Sequence, residues 1–464
     1  MKPLWTAEEA AEATGGTIQG GPWSVGGIAI DTRELGRGDL FVALAGEHRD
    51  GHAFVPDALA EGAGAVLVAR ADAVPYGQPA LIVTDTLRGL EGLATYRRLS
   101  TKARIVGITG SAGKTTAKSA IATLLQGSGL VHASAKSHNN HWGVPLSLAR
   151  MPHDAAFGVF ELGMNHAGEI RALVSQVRPH VALITTIAPA HLGHFANEEG
   201  IARAKAEILE KVEPGGSAVL PADSPWHDLL ASLARSTPGI RTLSFGRAAG
   251  ADVRLVGEEG DHLGSDVIAE LAGRTVAYRL HLPGRHQVDN SLGWLAVIHA
   301  LGLDVDQAAQ AMAAIRPVDG RGVRRELTLA SGGRVMLLDE SYNANPASMR
   351  AALDVLARQP GRRVAVLGDM LELGAGSVAL HEALAPAVEE AGAEAAYLCG
   401  PAMARLADRL PCAVAVHHAP SSTELLQLLR ADLKDGDVVL VKGSLGSRMR
   451  VIVDGLATAG TGGS

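Results

Sequence analysis

The sequence predicts an α/β protein in three domains: a small α/β domain over residues 1–100, a central parallel-sheet domain over 101–317, and a doubly wound domain over 318–464. Three observations predict this. Apolar, β-branched runs alternate with amphipathic helical stretches, the pattern of parallel sheets covered by helices. At 464 residues the chain is longer than one hydrophobic core can organise. The alternation also breaks after about residue 100 and again at Arg316-Pro317-Val318-Asp319-Gly320-Arg321-Gly322, and restarts each time.

In the first block, strands are expected at 25–30, 39–44, 65–68 and 80–83, and helices at 6–13, 54–61 and 87–99, separated by glycine-rich turns. In the second, the apolar run ending at Ile108 leads through a glycine-rich turn into a helix at 117–125. Strands follow at 156–162, 181–187 and 216–221, with helices at 167–174, 199–212 and 286–301. Residues 252–281 alternate like antiparallel hairpins and suggest an added sheet edge. In the third block, strands at 334–338, 363–367, 395–398, 413–417 and 437–441 alternate with helices, resembling a dinucleotide-binding fold. No G-x-G-x-x-G follows its first strand, so bound NAD is not expected. The tail at 457–464 is expected to fray.

Composition narrows the function classes. Hydrophobic content of 47% with 20% charged residues is that of an ordinary globular protein. A net charge of −7, with no long basic run, argues against a nucleic-acid partner. Cys399 and Cys412 lie in apolar surroundings without metal-ligand spacing, as reduced thiols of a cytoplasmic enzyme would. The amino terminus lacks an apolar signal core and no run is long enough to cross a bilayer, so membrane insertion is not expected. A cytoplasmic monomer is the expectation.

The most informative stretch is Gly107-Ile108-Thr109-Gly110-Ser111-Ala112-Gly113-Lys114-Thr115-Thr116. Glycines between a strand and a helix let backbone N–H groups close around phosphate oxygens, and the helix N-terminus adds partial positive charge. Lys114 would reach the β- and γ-phosphates of ATP, and the Thr115 hydroxyl would ligate Mg²⁺. The usual G-x-x-x-x-G-K-[ST] string needs glycine at 108, where this chain has Ile108. The loop here is the shorter G-x-x-G-K-T-T.

Ligands in parallel sheets gather beyond the carboxyl ends of strands. Glu161 closes one such strand and His191 follows another by a short turn, so both could hold Mg²⁺ beside Thr115 if the strands are neighbours; equally, they could be an edge ion pair and a loop histidine. Lys205 shares a helical face with Ile201, Ile208, Leu209 and Val212. It either snorkels or, with a lowered pKa, presents a neutral amine to carbon dioxide and becomes a carbamate. Asn290 begins a helix, as a helix-end hydrogen bonder or a nucleotide contact. Asp339-Glu340-Ser341-Tyr342-Asn343-Ala344-Asn345-Pro346 follows a strand directly, and Lys442-Gly443-Ser444 repeats that arrangement. Two such edges suggest that the last domain closes over the phosphate site.

These residues resemble the Mur ligase family, the ATP-dependent amino-acid ligases of peptidoglycan synthesis, over the whole chain and in the family's order. Thr109-Gly110-Ser111-Ala112-Gly113-Lys114-Thr115-Thr116 is similar to the family's ATP loop, with Ala112 where Asn is usual. The resemblance implies catalytic roles for Lys114, His191 and a carbamylated Lys205. It implies metal ligation by Thr115, Glu161, His191 and Lys205, and nucleotide contacts from the residues of the loop (Gly110, Ser111, Ala112, Gly113, Lys114, Thr115, Thr116) and from Asn290, Arg321, Asp339, Tyr342 and Asn343. Thr186 stands where relatives often carry Asn.

Two segments are similar to the branch that joins D-alanyl-D-alanine to UDP-N-acetylmuramoyl-tripeptide. They are Ser137-His138-Asn139-Asn140-His141-Trp142-Gly143-Val144-Pro145 and the block from Asp339 to Pro346, with Glu340 in place of a second Asp. In the first domain, Asp31-Thr32-Arg33, Phe41-Val42-Ala43-Leu44-Ala45-Gly46 and Asp50-Gly51-His52-Ala53-Phe54 resemble the uridine-nucleotide surface. The substrate residues implied are Asp31, Thr32, Arg33, Gly46, Asp50, His52, Asn139, Asn140, Asn345, Lys442 and Ser444, with the dipeptide near Asn343 and Asn345. ATP and Mg²⁺ are the implied cofactors. The rivals are a MurE-like ligase and a folylpolyglutamate-synthase-like enzyme, both opposed by Tyr342-Asn343-Ala344-Asn345-Pro346. A nucleotide-gated switch is the third rival; the Asn-Lys-x-Asp signature of a GTPase is not in the sequence.

Overall fold

A computed structural model describes residues 2–46, 49–135, 137–189, 192–329 and 332–459. The first domain holds a five-stranded sheet in the order Thr17–Gln19, Ala80–Ile82, Ala65–Val68, Leu40–Val42, Ile28–Ala29, parallel except for its first pair. The run expected at 25–30 splits in two, because Ser24–Val25 pairs instead with Trp5–Thr6. Gly27 marks the break: a Cβ there would stand 2.4 Å from Asp39 Oδ1. Helix Ala7–Thr14 opens with a reciprocal cap between Thr6 and Glu9. Trp5 is fully buried, donates from Nε1 to the carbonyl of Ala149 (2.9 Å), and lies under the Arg97 guanidinium. That packing joins the first domain to the second.

The central sheet has nine strands, in the order Arg274–Leu280, Ser265–Leu271, Val253–Gly260, Arg241–Gly246, Ser217–Pro221, Val181–Ile184, Arg104–Thr109, Phe157–Glu161, Val131–Ala133. The first three form the antiparallel edge expected from residues 252–281, and the rest are parallel. Alternation along Arg104–Thr109 sends Val106 and Ile108 into one core and Ile105 into the other. Helices Lys114–Leu125, Arg285–Ala300 and Val305–Ala311 cover the first face. Gly143–Ala149, Glu169–Val177, Glu198–Ala206 and His227–Arg235 cover the second. Strands Val131–Ala133 and Arg241–Gly246 and helix Gly143–Ala149 were not expected. The helix contains Gly143 and Pro145, which read as breakers, yet proline in a first turn removes an N–H that has no partner there anyway. The helix expected over 199–212 ends at Ala206 and tightens into a 3₁₀ segment, Glu207–Lys211.

The last domain is the doubly wound sheet expected, in the order Val323–Thr328, Arg334–Glu340, Val438–Lys442, Arg363–Gly368, Ala395–Cys399, Ala415–Ala419. Val323–Thr328 is an added antiparallel edge whose charged, half-exposed residues hid it from a hydrophobicity reading. The final helix runs Arg450–Ala459, further than the frayed tail expected. Among the described residues no helix is long and apolar enough to cross a membrane.

Candidate active site

Arg104–Thr109 lies between Phe157–Glu161 and Val181–Ile184, so Glu161 aligns with Ile108 and Ile184 with Thr109. The strands are neighbours, the condition on which the sequence reading set Glu161 beside Thr115, and the phosphate loop leaves from among their ends. Its two glycines are there for different reasons. At Gly110 (φ +151°) a Cβ would lie 1.9 Å from Thr185 Oγ1, so only glycine fits. Gly113 (φ +80°) is left-handed and caps helix Lys114–Leu125 without any side-chain hydrogen bond, so the first-turn N–H groups stay open to an anion. The loop is pinned by Ser111, whose N–H donates to Thr186 O (2.8 Å) and whose Oγ donates to Ala188 O (2.9 Å). Thr185 Oγ1 donates to Ala112 O.

Lys114 Nζ donates to Gly110 O (2.8 Å), and desolvation lowers its pKa below the ordinary lysine value. Thr115 Oγ1 donates to Glu161 Oε2, and Asn139 Nδ2 to Glu161 Oε1, both at 2.8 Å. Lys118 Nζ stands 3.9 Å from the same carboxylate, a buried neighbour the sequence reading did not single out. Lys205 is 2% exposed, and among the described residues no hydrogen bond or ion pair reaches its Nζ. Burial first, and repulsion from Lys114 second, hold its pKa well below the usual lysine value. Both effects favour the neutral amine over the ammonium. His191 lies outside the described residues.

A cleft of about 680 Å³ runs between the central and last domains. It is lined by Ser111 to Lys114, Thr116, Asn139, Glu161, Asn290, Arg321, Tyr342, Asn343, Asn345, Lys442 and Ser444, so residues far apart in sequence meet as expected. The Arg321 guanidinium lies 4.2 Å from the Tyr342 ring centroid, a cation–π pair. Lys442 Nζ donates to Asn343 O (3.0 Å) and faces Glu340 at 3.5 Å; burial lowers its pKa.

Several expected residues have other work. Asp339 does not line the cleft; it is fully buried, accepts from Ser341 N–H and Oγ, and stands 3.6 Å from Arg450. Asn345 is the N-cap of helix Pro346–Ala357, accepting from Ser348 N–H, and its Nδ2 donates to Ser111 O across the cleft (3.2 Å). Its amide bridges two domains instead of waiting for a dipeptide. Asn140 accepts from Gly143 N–H and starts the helix there, so the paired asparagines divide their roles. In the first domain, His52 Nε2 accepts from Ala69 N–H and Nδ1 faces Asp50 at 2.6 Å, so both ring nitrogens brace the fold. The His52 backbone N–H, which donates to Asp50 Oδ1 (3.0 Å), and then the ring hold the Asp50 pKa below the carboxylate norm. Asp31 accepts from Arg33 N–H at the start of the turn Thr32–Glu34, and Gly46 packs against the Trp142 ring. None of these first-domain residues lines the cleft.

The sequence reading missed other lining residues. Asp223 accepts from Arg247 and Ala248 N–H groups beside Gly246 (φ +151°), where a Cβ would lie 2.3 Å from the Asp223 carboxylate. Asp289 pairs with Arg247 at 2.8 Å, and burial raises its pKa. Leu371, Glu372 and Leu373 follow strand Arg363–Gly368. Asp369-Met370-Leu371-Glu372-Leu373 sits at a strand's carboxyl end, the same signal that marked Asp339 to Pro346.

Comparison with known proteins gives the family. Residues 24–91 match the Mur ligase family catalytic domain, 108–298 the Mur ligase middle domain, and 324–445 the Mur ligase glutamate ligase domain. The chain belongs to the Mur ligase family. UDP-N-acetylmuramoyl-tripeptide--D-alanyl-D-alanine ligase of Escherichia coli (strain K12) is 35% identical over 98% of this chain and 99% of its own. The crystal structure of MurF from Acinetobacter baumannii superposes with a TM-score of 0.86 at 30% identity, covering 99% of each chain. MurF ligase from Thermotoga maritima, solved in complex with ADP, gives 0.77 at 27% identity over 93% of this chain and 97% of that one. As a Mur ligase the chain is an ATP-dependent peptide ligase of α/β architecture, and its phosphate loop is a member of a family with a nucleotide-bound example.

Proposed function

We propose that this Mur ligase joins D-alanyl-D-alanine to the terminal carboxylate of UDP-N-acetylmuramoyl-tripeptide, giving the UDP-linked pentapeptide, ADP and phosphate. The observation that carries the reading is the cleft that brings Ser111 to Lys114 and Thr116 of the phosphate loop against Tyr342, Asn343 and Asn345 of the last domain. Full-length similarity to ligases of that name supports it.

A carboxylate is a poor electrophile, so ATP first transfers its γ-phosphoryl group to the tripeptide carboxylate, forming an acyl phosphate and ADP. Lys114 and the open N–H groups of its helix hold the phosphoryl oxygens as charge redistributes. The dipeptide's neutral amine attacks the acyl carbon, the tetrahedral intermediate collapses, phosphate leaves, and the amine proton passes to solvent or a base. Closure between the domains keeps water from the acyl phosphate; the Asn345 to Ser111 bond is one contact that would hold it.

Mg²⁺ fits the residues present. Among the described residues no cluster of three His, Cys, Asp or Glu side chains forms a metal cage. The buried Glu161 carboxylate and Thr115 hydroxyl are hard oxygen donors next to the phosphate cradle. Mg²⁺ takes one or two such ligands with substrate phosphates, and there it would neutralise phosphate charge. A carbamate on Lys205, and His191, would complete the ligand set. The uridine nucleotide is assigned to the first domain at Asp31, Thr32, Arg33, Gly46 and Asp50. ATP and a nucleotide-linked peptide as substrates support a cytoplasmic enzyme, and in this reading it acts as a monomer.

The test is phosphate release with mass detection of the pentapeptide. Turnover should require both UDP-tripeptide and D-alanyl-D-alanine; hydrolysis independent of both would favour a nucleotide switch.

A further inference from the structure

The cleft has one feature that phosphate chemistry does not use. Among the described residues, two of the large apolar side chains left exposed line it: Leu371, 46% exposed, and Leu445, 65% exposed. Both stand on the last domain, in loops that leave the carboxyl ends of the adjacent strands Arg363–Gly368 and Val438–Lys442. The pair keeps apolar area facing the reaction space of a polar cleft.

The two loops are built to hold that pair still. Ser444 ties them together, accepting at Oγ from Leu371 N–H (2.9 Å) and donating its own N–H to Asp369 O (3.1 Å). Met370 N–H donates to Nε2 of the fully buried His381 (2.9 Å), and the Asp369 carboxylate accepts from Met403 N–H (2.8 Å). Glu372 takes a left-handed conformation (φ +62°), unusual for a residue with a side chain. Its carbonyl accepts from Gly193 N–H of the central domain (3.0 Å), fixing the loop against the opposite wall. Leu371 lies so close over Gly446 that a Cβ there would stand 2.6 Å from Leu371 Cδ1.

We propose that Leu371 and Leu445 form the acceptor subsite, an apolar wall that takes the methyl groups of the incoming dipeptide. This rests on the ligase reading above and adds to it the place where the acceptor is chosen. The chemistry points to this ligand. Of the three substrates, ATP needs the phosphate loop and the uridine nucleotide is assigned to the first domain. The acceptor is small, carries one methyl on each residue, and must reach an acyl phosphate held at the central loop. A rigid apolar wall on the facing domain suits it, because burying a methyl group is worth about a fourfold gain in affinity, and a preorganised wall loses little of that to ordering.

The test compares D-alanyl-D-alanine with D-alanylglycine and diglycine as acceptors, using the full-length enzyme and the variants Leu371→Ser, Leu445→Ser and Gly446→Ala. Both leucines are exposed, so the serine variants should fold. Gly446→Ala moves only the far end of an exposed leucine. The wild type should favour the methylated dipeptide by about fourfold or more per methyl. Each serine variant should raise the KM for D-alanyl-D-alanine several-fold and flatten the preference over diglycine, with the KM values for ATP and UDP-tripeptide and the melting temperature unchanged. Gly446→Ala should shift the same acceptor preference. An unchanged preference in both serine variants of an active ligase overturns the subsite while leaving the ligase reading intact. No ligation by the wild-type enzyme overturns both.

Discussion

The two walls of the cleft are built on different physics. The central wall is backbone: glycines at 110 and 113, an uncapped helix N-terminus, and hydroxyls that pin the loop. It presents N–H groups whose directions are set by φ and ψ, with Lys114, Thr115 and Glu161 as the side chains that stand beside them. The facing wall is side chain: Arg321 on Tyr342, Lys442 over Asn343, Asn345 bonded to Ser111, and two exposed leucines. A loop of the first kind holds a phosphate common to all substrates of a family, whereas a wall of the second kind can be altered residue by residue. On the proposed reading, chemistry belongs to the first wall and choice of acceptor to the second.

Breaking the central wall should have the largest effect. Lys114→Ala should lower the ligation rate by about a thousandfold or more, on the order of 4 kcal/mol, with an unchanged circular-dichroism spectrum. Near-normal turnover would remove Lys114 from phosphoryl transfer. Lys205→Ala should fall nearly as far if the amine is carbamylated, and short carboxylic acids should restore part of the rate. A buried lysine with no part in the chemistry would leave kinetics unaltered and show no such rescue.

The junction of the two walls comes next. Gly110→Ala forces a Cβ against Thr185 Oγ1, so ATP affinity should drop by at least tenfold in a binding titration. Normal affinity would mean that the loop relaxes freely. Asn345→Ala removes a helix cap worth about 1 kcal/mol together with the bond to Ser111. We expect a melting temperature lower by a few degrees and a higher KM for ATP as well as for the dipeptide. A change confined to the dipeptide would show that Asn345 contacts the acceptor after all. The smallest effect should come from Arg33→Ala in the exposed first domain, a several-fold rise in KM for the UDP-substrate alone; a matching rise for ATP would relocate the uridine site.

Much of this was legible in the chain. Strand Arg104–Thr109, its glycine turn and helix Lys114–Leu125 are local events, governed by β-branched residues, glycine torsions and apolar spacing within about twenty residues. The three-domain order and the hairpin edge at 253–280 followed from the same periodicities. Short or polar elements escaped: Val323–Thr328 pairs because Arg334–Glu340 lies beside it, and Gly143–Ala149 forms because Val144 and Leu148 enter a core supplied by distant strands.

The site divides in the same way. That Glu161, Lys205 and the Asp339 to Pro346 block carry polar groups at strand ends or on an apolar helix face is written in the sequence, since each statement concerns neighbours along the chain. Which partner each group finds is not. Glu161 meets Thr115 and Asn139, Asn345 meets Ser111 from 234 positions away, and Asp339 turns from the cleft toward Arg450. Those pairings depend on strand order and on how one domain seats against another. Local sequence determined the phosphate cradle because torsions and periodicity act at short range. Tertiary structure alone decided what faces that cradle, because hydrogen-bond partners and desolvation arise only when separate segments are packed together.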